Sequence, residues 1–111
     1  ENDPHAGGPI PSFVALFEHA GGFDQVVVVR WDGPGNACNG YGYTFIGIDA
    51  VTKATVVSKD LPFCGGPDPK LSVGADRAIL FTTADAPPNH GTGTVKGEEW
   101  TFANRSLRKV R

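Results

Sequence analysis

Residues 24–49 read DQVVVVRWDGPGNACNGYGYTFIGID, two extended segments joined by a Gly-rich connection. Val26 to Val29 are four successive β-branched residues, and their restricted first side-chain torsion disfavours a helix and favours a strand. The run ends at Gly33 and Pro34, which is too soon for a buried helix. Because its hydrophobicity is continuous rather than alternating, the run predicts a central strand that is covered on both faces.

The second segment alternates between aromatic and aliphatic side chains. We expect one face of a strand to carry Tyr41, Tyr43 and Phe45 and the other to carry Thr44, Ile46 and Ile48. Gly42 and Gly47 interrupt this pattern, and glycines inside a strand often mark a bulge or a close backbone approach.

The composition extends this picture to the whole chain. A length of 111 residues indicates one domain, and 15 Gly and 9 Pro indicate many turns. Short β-rich runs predict an all-β fold, an antiparallel sandwich or small barrel of about 7–8 strands, meander-rich, with long Gly/Pro loops. We expect an extended leader at residues 1–11, a single β domain at 12–104 and a basic tail at 105–111.

Two elements near the chain ends are predicted from local patterns. The first strand is expected at residues 12–18, with an amphipathic helix as the alternative. In a strand, Phe13, Ala15 and Phe17 would share one face. A closing hairpin is expected between residues 92 and 102, and a last edge segment after it at residues 107–110.

The two cysteines, Cys38 and Cys64, both lie in turn-rich segments. Free thiols in exposed turns are prone to oxidation, so a disulfide and an oxidising compartment are favoured over two unrelated reduced thiols. The chain is therefore expected to be secreted or periplasmic.

Other localisation features are weaker. Residues 1–5 lack the basic start and apolar stretch of a signal peptide, as expected of a mature secreted product, with a cytosolic protein as the alternative. No apolar run approaches the roughly 20 residues of a membrane helix, so no transmembrane segment is expected. Asn104 begins an Asn-Arg-Ser glycosylation sequon, which matters only in a eukaryotic secretory pathway.

The net charge of −2 is unevenly distributed. Four of the ten basic residues lie at the C-terminus, namely Arg105, Arg108, Lys109 and Arg111, and the rest of the chain has six basic against twelve acidic residues. An acidic body argues against nucleic-acid binding. The basic tail is predicted to be a solvated end, with contact to an acidic partner or a membrane as the alternative.

The residue patterns give little indication of an enzyme active site. No serine lies in a G-x-S-x-G elbow, and His5, His19 and His90 fall in the predicted leader or loops. His19 and Asp24 flank one turn and could converge. Residues 32–36 offer oxygen ligands suited to calcium, although a tight turn also explains them. We predict no catalytic residue and no cofactor, lean against an enzyme, and leave metal binding open.

The function predicted from these patterns is a secreted, non-catalytic binding module that presents disulfide-pinned loops to a macromolecular partner. The partner would be a protein, with inhibition as one form, or a carbohydrate stacked on Trp31, Tyr41, Tyr43 or Trp100 unless these belong to the core. The contact loops are predicted to include Pro62, Phe63, Gly65, Gly66, Asp68, Pro87, Asn89 and His90.

Two alternative functions remain. The first is a structural or assembly subunit that pairs through exposed edge strands. The second is a small β-barrel enzyme or ligand carrier, which would use His19 or His90 together with Asp24, Asp32 or Asp85. The sequence does not predict the oligomeric state.

Overall fold

The computed structural model describes residues 10–32, 42–62, 68–85 and 92–111, and these residues form β-strands and no helix. The strands are β1 (Ile10–Ala20), β2 (Phe23–Asp32), β3 (Gly42–Ile48), β4 (Thr55–Val57), β5 (Leu61–Pro62), β6 (Lys70–Val73), β7 (Ile79–Thr82), β8 (Glu99–Ala103) and β9 (Ser106–Lys109). The predicted all-β class is confirmed. No helix suited to crossing a membrane is found in the described ranges.

The strands build two antiparallel sheets with the same simple order. The first sheet runs β1-β2-β3-β4, with β5 also paired to β3, and the second runs β6-β7-β8-β9. Neighbours along each main path are also consecutive in the chain, which is a meander.

The valine run forms the middle of β2, between β1 and β3. Val26 and Val28 are fully buried against the second sheet, whereas Val27 and Val29 stay partly exposed. The expectation that both faces of this strand are covered is therefore wrong for the face that carries Val27 and Val29. We call this the outer face of the first sheet.

Aromatic rings from both sheets meet in the core. The Phe45 ring centroid lies 5.2 Å from that of Phe102 and 6.1 Å from that of Phe81. Phe23 stacks on Phe102 at 5.9 Å. A Cβ atom at Gly47 would lie only 2.3 Å from the Phe23 ring, so the group that comes close to this glycine is a side chain and not the backbone that the sequence pattern predicted. Aromatic packing of this kind joins the two sheets.

A β-bulge changes the faces of β1. Phe13 pairs with Val29 but Ala15 pairs with Val28, so Val14 is an extra residue on the β1 side. Directly paired residues share a face, and Leu16 pairs with Val27. Phe13 and Leu16 therefore lie together on the outer face, and the expected grouping of Phe13 with Ala15 and Phe17 is wrong.

The hairpin predicted between residues 92 and 102 does not form. Residue 95 makes only an isolated bridge, while β8 pairs with β7 on one side and β9 on the other. The β8–β9 connection is a two-residue turn, Asn104 and Arg105, whose φ angles of 51° and 64° are both left-handed. Such turns match the twist of the flanking strands, so the chain doubles back here.

Most cations of the basic tail form ion pairs with carboxylates of the body. Arg105 lies 2.8 Å from Asp49, and Arg111 lies 2.9 Å from Glu99. Lys109 lies 3.2 Å from Glu98, which makes three of the four tail cations partners of carboxylates. These three side chains remain 49%, 50% and 73% exposed, in the order Arg105, Lys109 and Arg111, so the ion pairs form at a solvated surface.

Candidate functional site

The part of the chain that the structure describes contains two cavities of interest, near opposite ends of the strands. The first, which we call the turn cavity, has a volume of about 520 Å³ and collects the tight turns between consecutive strands. Its polar lining includes His19, Asp24, Asp49, Arg77, Asn104 and Arg105. The second, which we call the edge groove, has a volume of about 400 Å³ and opens beside the first half of β1.

Left-handed backbone conformations build the turn cavity. Gly21 and Gly22 have φ angles of 65° and 92° and close the β1–β2 hairpin in the same way that Asn104 and Arg105 close the β8–β9 hairpin. A Cβ at Gly21 would lie 2.6 Å from the Phe102 ring, so this position needs glycine for space as well as for its φ angle.

Arg105 ties the two hairpin turns together. Its backbone N–H donates to the Gly21 carbonyl at 2.8 Å, and its Nε donates to the Gly22 carbonyl at 2.9 Å. Its Nη2 donates to Asp49 at 2.8 Å, and its guanidinium lies 4.6 Å from the centre of the Phe23 ring. This arginine is committed to holding the sheets in place.

Arg77 acts in the same way on β1. Its Nε donates to the His19 carbonyl at 2.8 Å and its Nη2 to the Glu18 carbonyl at 2.5 Å. The Arg77 carbonyl in turn accepts the Gly21 N–H at 2.8 Å. Both arginines of the turn cavity therefore serve the architecture.

His19 and Asp24 are the residues of the turn cavity that could take part in acid–base chemistry. His19 Nδ1 lies 4.0 Å from Asp24 Oδ1, beyond hydrogen-bonding distance, and the histidine side chain is 80% exposed. The other Asp24 oxygen accepts the Ala50 N–H at 2.7 Å. Within the described ranges, no group of three or more His, Cys, Asp or Glu residues is arranged to hold a metal ion. The residues that line the turn cavity form and connect the turns, and this structural role accounts for their arrangement.

The edge groove has a different character. It is lined by Ser12, Phe13, Val14, Arg30, Tyr43 and Asp68, together with Pro69 and Leu71. Arg30 Nη1 lies 3.4 Å from Asp68 Oδ1 and donates at the same distance to the Tyr43 hydroxyl. The Asp68 side chain is 84% exposed and that of Arg30 37% exposed, so the pair lies at the surface of a groove with mixed polar and apolar lining. Exposed ion pairs of this kind are worth at most about 1 kcal/mol.

The described ends of several strands meet near this groove. Gly42 is the register partner of both Trp31 and Pro62, so three neighbouring strands end side by side. The segments that carry Cys38 and Cys64 connect to these strands, but both cysteines lie outside the described residues. The disulfide stays a prediction.

Few of the predicted contact residues can be placed. Asp68 lines the edge groove. Pro62 lies in β5, and its backbone pairs with that of Gly42 in β3. The remaining residues of that set lie outside the described ranges: Phe63, Gly65, Gly66, Pro87, Asn89 and His90.

The aromatic candidates for carbohydrate stacking differ in accessibility. Tyr43 is only 3% exposed and packs on Phe81, so it belongs to the core. Trp31 and Trp100 are partly exposed, and each indole N–H is bonded, to Thr44 at 2.8 Å and to Glu98 at 2.9 Å respectively. Tyr41 lies outside the described residues.

Two carboxyl groups have perturbed acidity. The Gly97 N–H, donated at 2.7 Å, and the charge of Lys96 hold the pKa of Asp85 below its ordinary value. The Trp100 N–H and Lys109 lower the pKa of Glu98, although partial burial opposes them. Both shifts come from groups that stabilise the charged carboxylate, and neither carboxyl lines the two cavities.

Sequence reasoning did not identify Arg30 as a site residue. The pattern that could have shown it is the alternation of β2, in which Val26, Val28 and Arg30 share the face that packs on the second sheet. Because burying an unpaired charge is costly, an arginine that follows two buried valines on the same face of a strand is expected to lie at the edge of the core, where its guanidinium is accessible to a ligand.

Comparison of the chain with protein-family models, with curated proteins and with solved structures finds no match.

Proposed function

We propose that this protein is a non-catalytic binding module that receives a protein partner at the edge groove. The observation that supports this function best is the exposed Arg30–Asp68 pair, which lies at one end of the sheets in a groove of polar and apolar residues. In this proposal the two sheets form a sandwich, and their packed aromatic core keeps the groove rigid. A preformed surface loses little conformational entropy when a partner binds.

The groove chemistry indicates what the partner presents. Arginine recognises carboxylates through its planar guanidinium, and a partner carboxylate can replace Asp68 beside Arg30. Leu71 and Pro69 offer apolar contact next to this charge. We therefore expect an acidic residue of the partner beside an apolar one. A protein is favoured over a carbohydrate because Tyr43, the stacking candidate that lines the edge groove, has its ring buried in the core.

A disulfide between Cys38 and Cys64 is part of this proposal, together with secretion or a periplasmic location. Strands that share the Gly42 register lie about 4.8 Å apart, and Cys64 follows Pro62 by two residues. Cys38 precedes Gly42 by four residues, a reach of up to roughly 14 Å in extended chain. Both segments are short and start from neighbouring strand ends, which favours a disulfide between Cys38 and Cys64.

The test compares two substitutions that remove the same charge. The partner is first captured from native extracellular fluid on the immobilised protein, identified by mass spectrometry and purified. Binding is then measured by calorimetry for the unsubstituted protein, for Arg30→Gln, and for Arg108→Gln as the control, since Arg108 is an exposed arginine of β9 away from the groove.

We expect Arg30→Gln to weaken binding at least about 10-fold, the effect of losing one charge-assisted hydrogen bond, while Arg108→Gln changes the affinity less than about 2-fold. Equal affinities for the two variants would overturn the proposal. So would loss of binding in a His19→Ala variant alone, because it would place the interaction in the turn cavity. Circular dichroism of each variant checks that the fold is kept.

A further inference from the structure

We propose that Asn104 carries an N-linked oligosaccharide, which covers the turn cavity and leaves the edge groove near the other end of the strands open. This inference rests on the secretory location included in the proposed function, and it places that location in a eukaryotic pathway. The segment that carries it is Asn104-Arg105-Ser106, which we call the turn sequon. It fulfils the acceptor rule of Asn-x-Ser or Asn-x-Thr, in which x is not proline.

The turn sequon is the one segment of the chain that fulfils this rule. Each of the other asparagines is followed two positions later by a residue other than serine or threonine, namely Pro4, Cys38, Tyr41 and Gly91. An oligosaccharide linked through asparagine is therefore expected at a single position.

The fold displays both acceptor residues of the turn sequon at the surface. Asn104 is a central residue of the β8–β9 turn, and Ser106 begins β9 as the register partner of Ala103. Both Asn104 and Ser106 are exposed. Within the described ranges, no hydrogen bond or ion pair involves either side chain. The amide that would receive the oligosaccharide is therefore not used by the fold.

The turn geometry explains the asparagine of the sequon but not its serine. The Asn104 φ angle of 51° is left-handed, a conformation that asparagine adopts more readily than most other residues with a side chain. At Ser106 the chain starts a strand, where β-branched residues are favoured, and the serine hydroxyl has no hydrogen bond in the described part of the chain. The acceptor rule accounts for a hydroxyl residue at this position.

Arg105, the middle residue of the turn sequon, anchors the turn to the body of the protein. Its backbone N–H and its Nε donate to the carbonyls of Gly21 and Gly22, and its Nη2 donates to Asp49 at 2.8 Å. The Arg105 side chain is thus bound to the body, whereas that of Asn104 is not. An anchored turn keeps an oligosaccharide on Asn104 at this end of the sheets.

The turn cavity offers space for the first sugar next to Asn104. Its volume of about 520 Å³ lies within the range of small-molecule sites, and Asn104 lines it together with His19 and Asp24. The His19 side chain is 80% exposed. Imidazole nitrogens and carboxylate oxygens both form hydrogen bonds with hydroxyl groups, so this lining suits a sugar better than an apolar ligand.

The transfer requires a co-substrate of the secretory pathway, a lipid pyrophosphate that carries the oligosaccharide. The amide nitrogen of Asn104 forms a bond to the anomeric carbon of the terminal N-acetylglucosamine, and the bond from this carbon to the pyrophosphate oxygen breaks. The lipid pyrophosphate leaves, and the amide loses one proton. No group is oxidised or reduced in this step.

Mass spectrometry of the protein purified from native extracellular fluid tests the inference directly. Peptide N-glycosidase, applied in water labelled with heavy oxygen, removes an N-linked oligosaccharide and converts the asparagine that carried it to a labelled aspartate. We expect a loss of mass for the whole protein and the label at Asn104. A disulfide in the same sample together with an unlabelled Asn104 would overturn this inference alone, whereas free thiols and an unlabelled Asn104 would overturn the secretory location as well.

Substitutions of Ser106 test the site and leave the turn residue Asn104 in place. The protein and its variants are secreted from eukaryotic cells and compared by intact mass. Ser106→Ala should lose the oligosaccharide, and Ser106→Thr should keep it. The control is Ser72→Ala, which removes a hydroxyl from another exposed strand position and should also keep the oligosaccharide. An oligosaccharide that remains on Ser106→Ala would overturn the assignment.

The affinity for the purified partner tests where the oligosaccharide lies. Because the edge groove is near the other end of the strands, Ser106→Ala should bind the partner within about 3-fold of the glycosylated protein. A larger change would place the oligosaccharide at the groove and contradict this inference. Arg30→Gln should weaken binding whether or not the oligosaccharide is present, so a failure of the proposed function is recognised separately.

Discussion

Replacing Gly47 with alanine tests the packing that joins the two sheets. A Cβ atom at this position would lie 2.3 Å from Cδ2 and Cε2 of Phe23 and 2.6 Å from its Cγ. Ordinary carbon contacts are about 3.5–4.0 Å, so the ring must move by more than about 1 Å.

The Phe23 ring has little freedom to make this movement. It is stacked on Phe102 with an interplanar angle of 9°, and the Arg105 guanidinium covers it at 4.6 Å. Overpacking of such a site costs about 1–3 kcal/mol, whereas the lower backbone entropy of alanine in the unfolded chain recovers about 0.5–1 kcal/mol. We expect Gly47→Ala to lower the free energy of unfolding by about 1 kcal/mol and the melting temperature by about 5 °C.

Urea unfolding followed by tryptophan fluorescence measures this change. Gly74→Ala is the matched control, because the nearest atom to its new Cβ is Asp76 Oδ1 at 3.1 Å, the end of an exposed side chain. In a Phe23→Ala background the cost of Gly47→Ala should disappear, which a double-mutant cycle reports as coupling. Equal losses at Gly47 and Gly74, or a cost at Gly47 that persists without the Phe23 ring, would refute the packing argument.

Two further predictions concern the carboxyl and thiol groups. Trp100 and Lys109 lower the pKa of Glu98, so the charged carboxylate stabilises the fold at pH values above the ordinary carboxyl pKa. This stabilisation is lost as the pH falls through the lowered pKa. The difference in free energy of unfolding between the unsubstituted protein and Glu98→Gln should therefore shrink on acidification from about pH 6 to about pH 2. If Cys38 and Cys64 form a disulfide, reduction should add about 2 Da to the mass of the native protein and lower its free energy of unfolding by about 3.5 kcal/mol. Detection of two free thiols before reduction would remove the argument for an oxidising compartment.

The parts of the fold that were predictable depend on local properties of the chain. Four adjacent valines restrict their own backbone, so the strand at β2 follows from sequence alone. The glycine in the middle of β3 indicated a close approach, but the approaching group is the Phe23 side chain, whereas the pattern predicted backbone.

The errors arise where non-local pairing overrides local pattern. Nothing in the residues around Val14 marks a bulge, since its position depends on the register with β2. The β8–β9 turn was missed because Asn104-Arg105 lacks the usual glycine, and contacts of Arg105 with Gly21 and Gly22 support its left-handed backbone.

The candidate site could be predicted only in part for the same reason. Asp68 was identified as a contact residue from its place in a Pro/Gly-rich segment. Its neighbour Arg30 lies 38 residues earlier in the chain, and only the packing of the two sheets brings them to 3.4 Å. Pairs separated this far in sequence require the tertiary register, which a single sequence does not supply.

The measurement that tests the central claim most directly is the hydrogen-exchange footprint of the purified partner on this protein, obtained by comparing the free and the partner-bound protein at one concentration. The binding account predicts new protection at residues 12–14, 30 and 68–71 around the edge groove. Protection centred instead on His19, Asp24 and the turn cavity would contradict it.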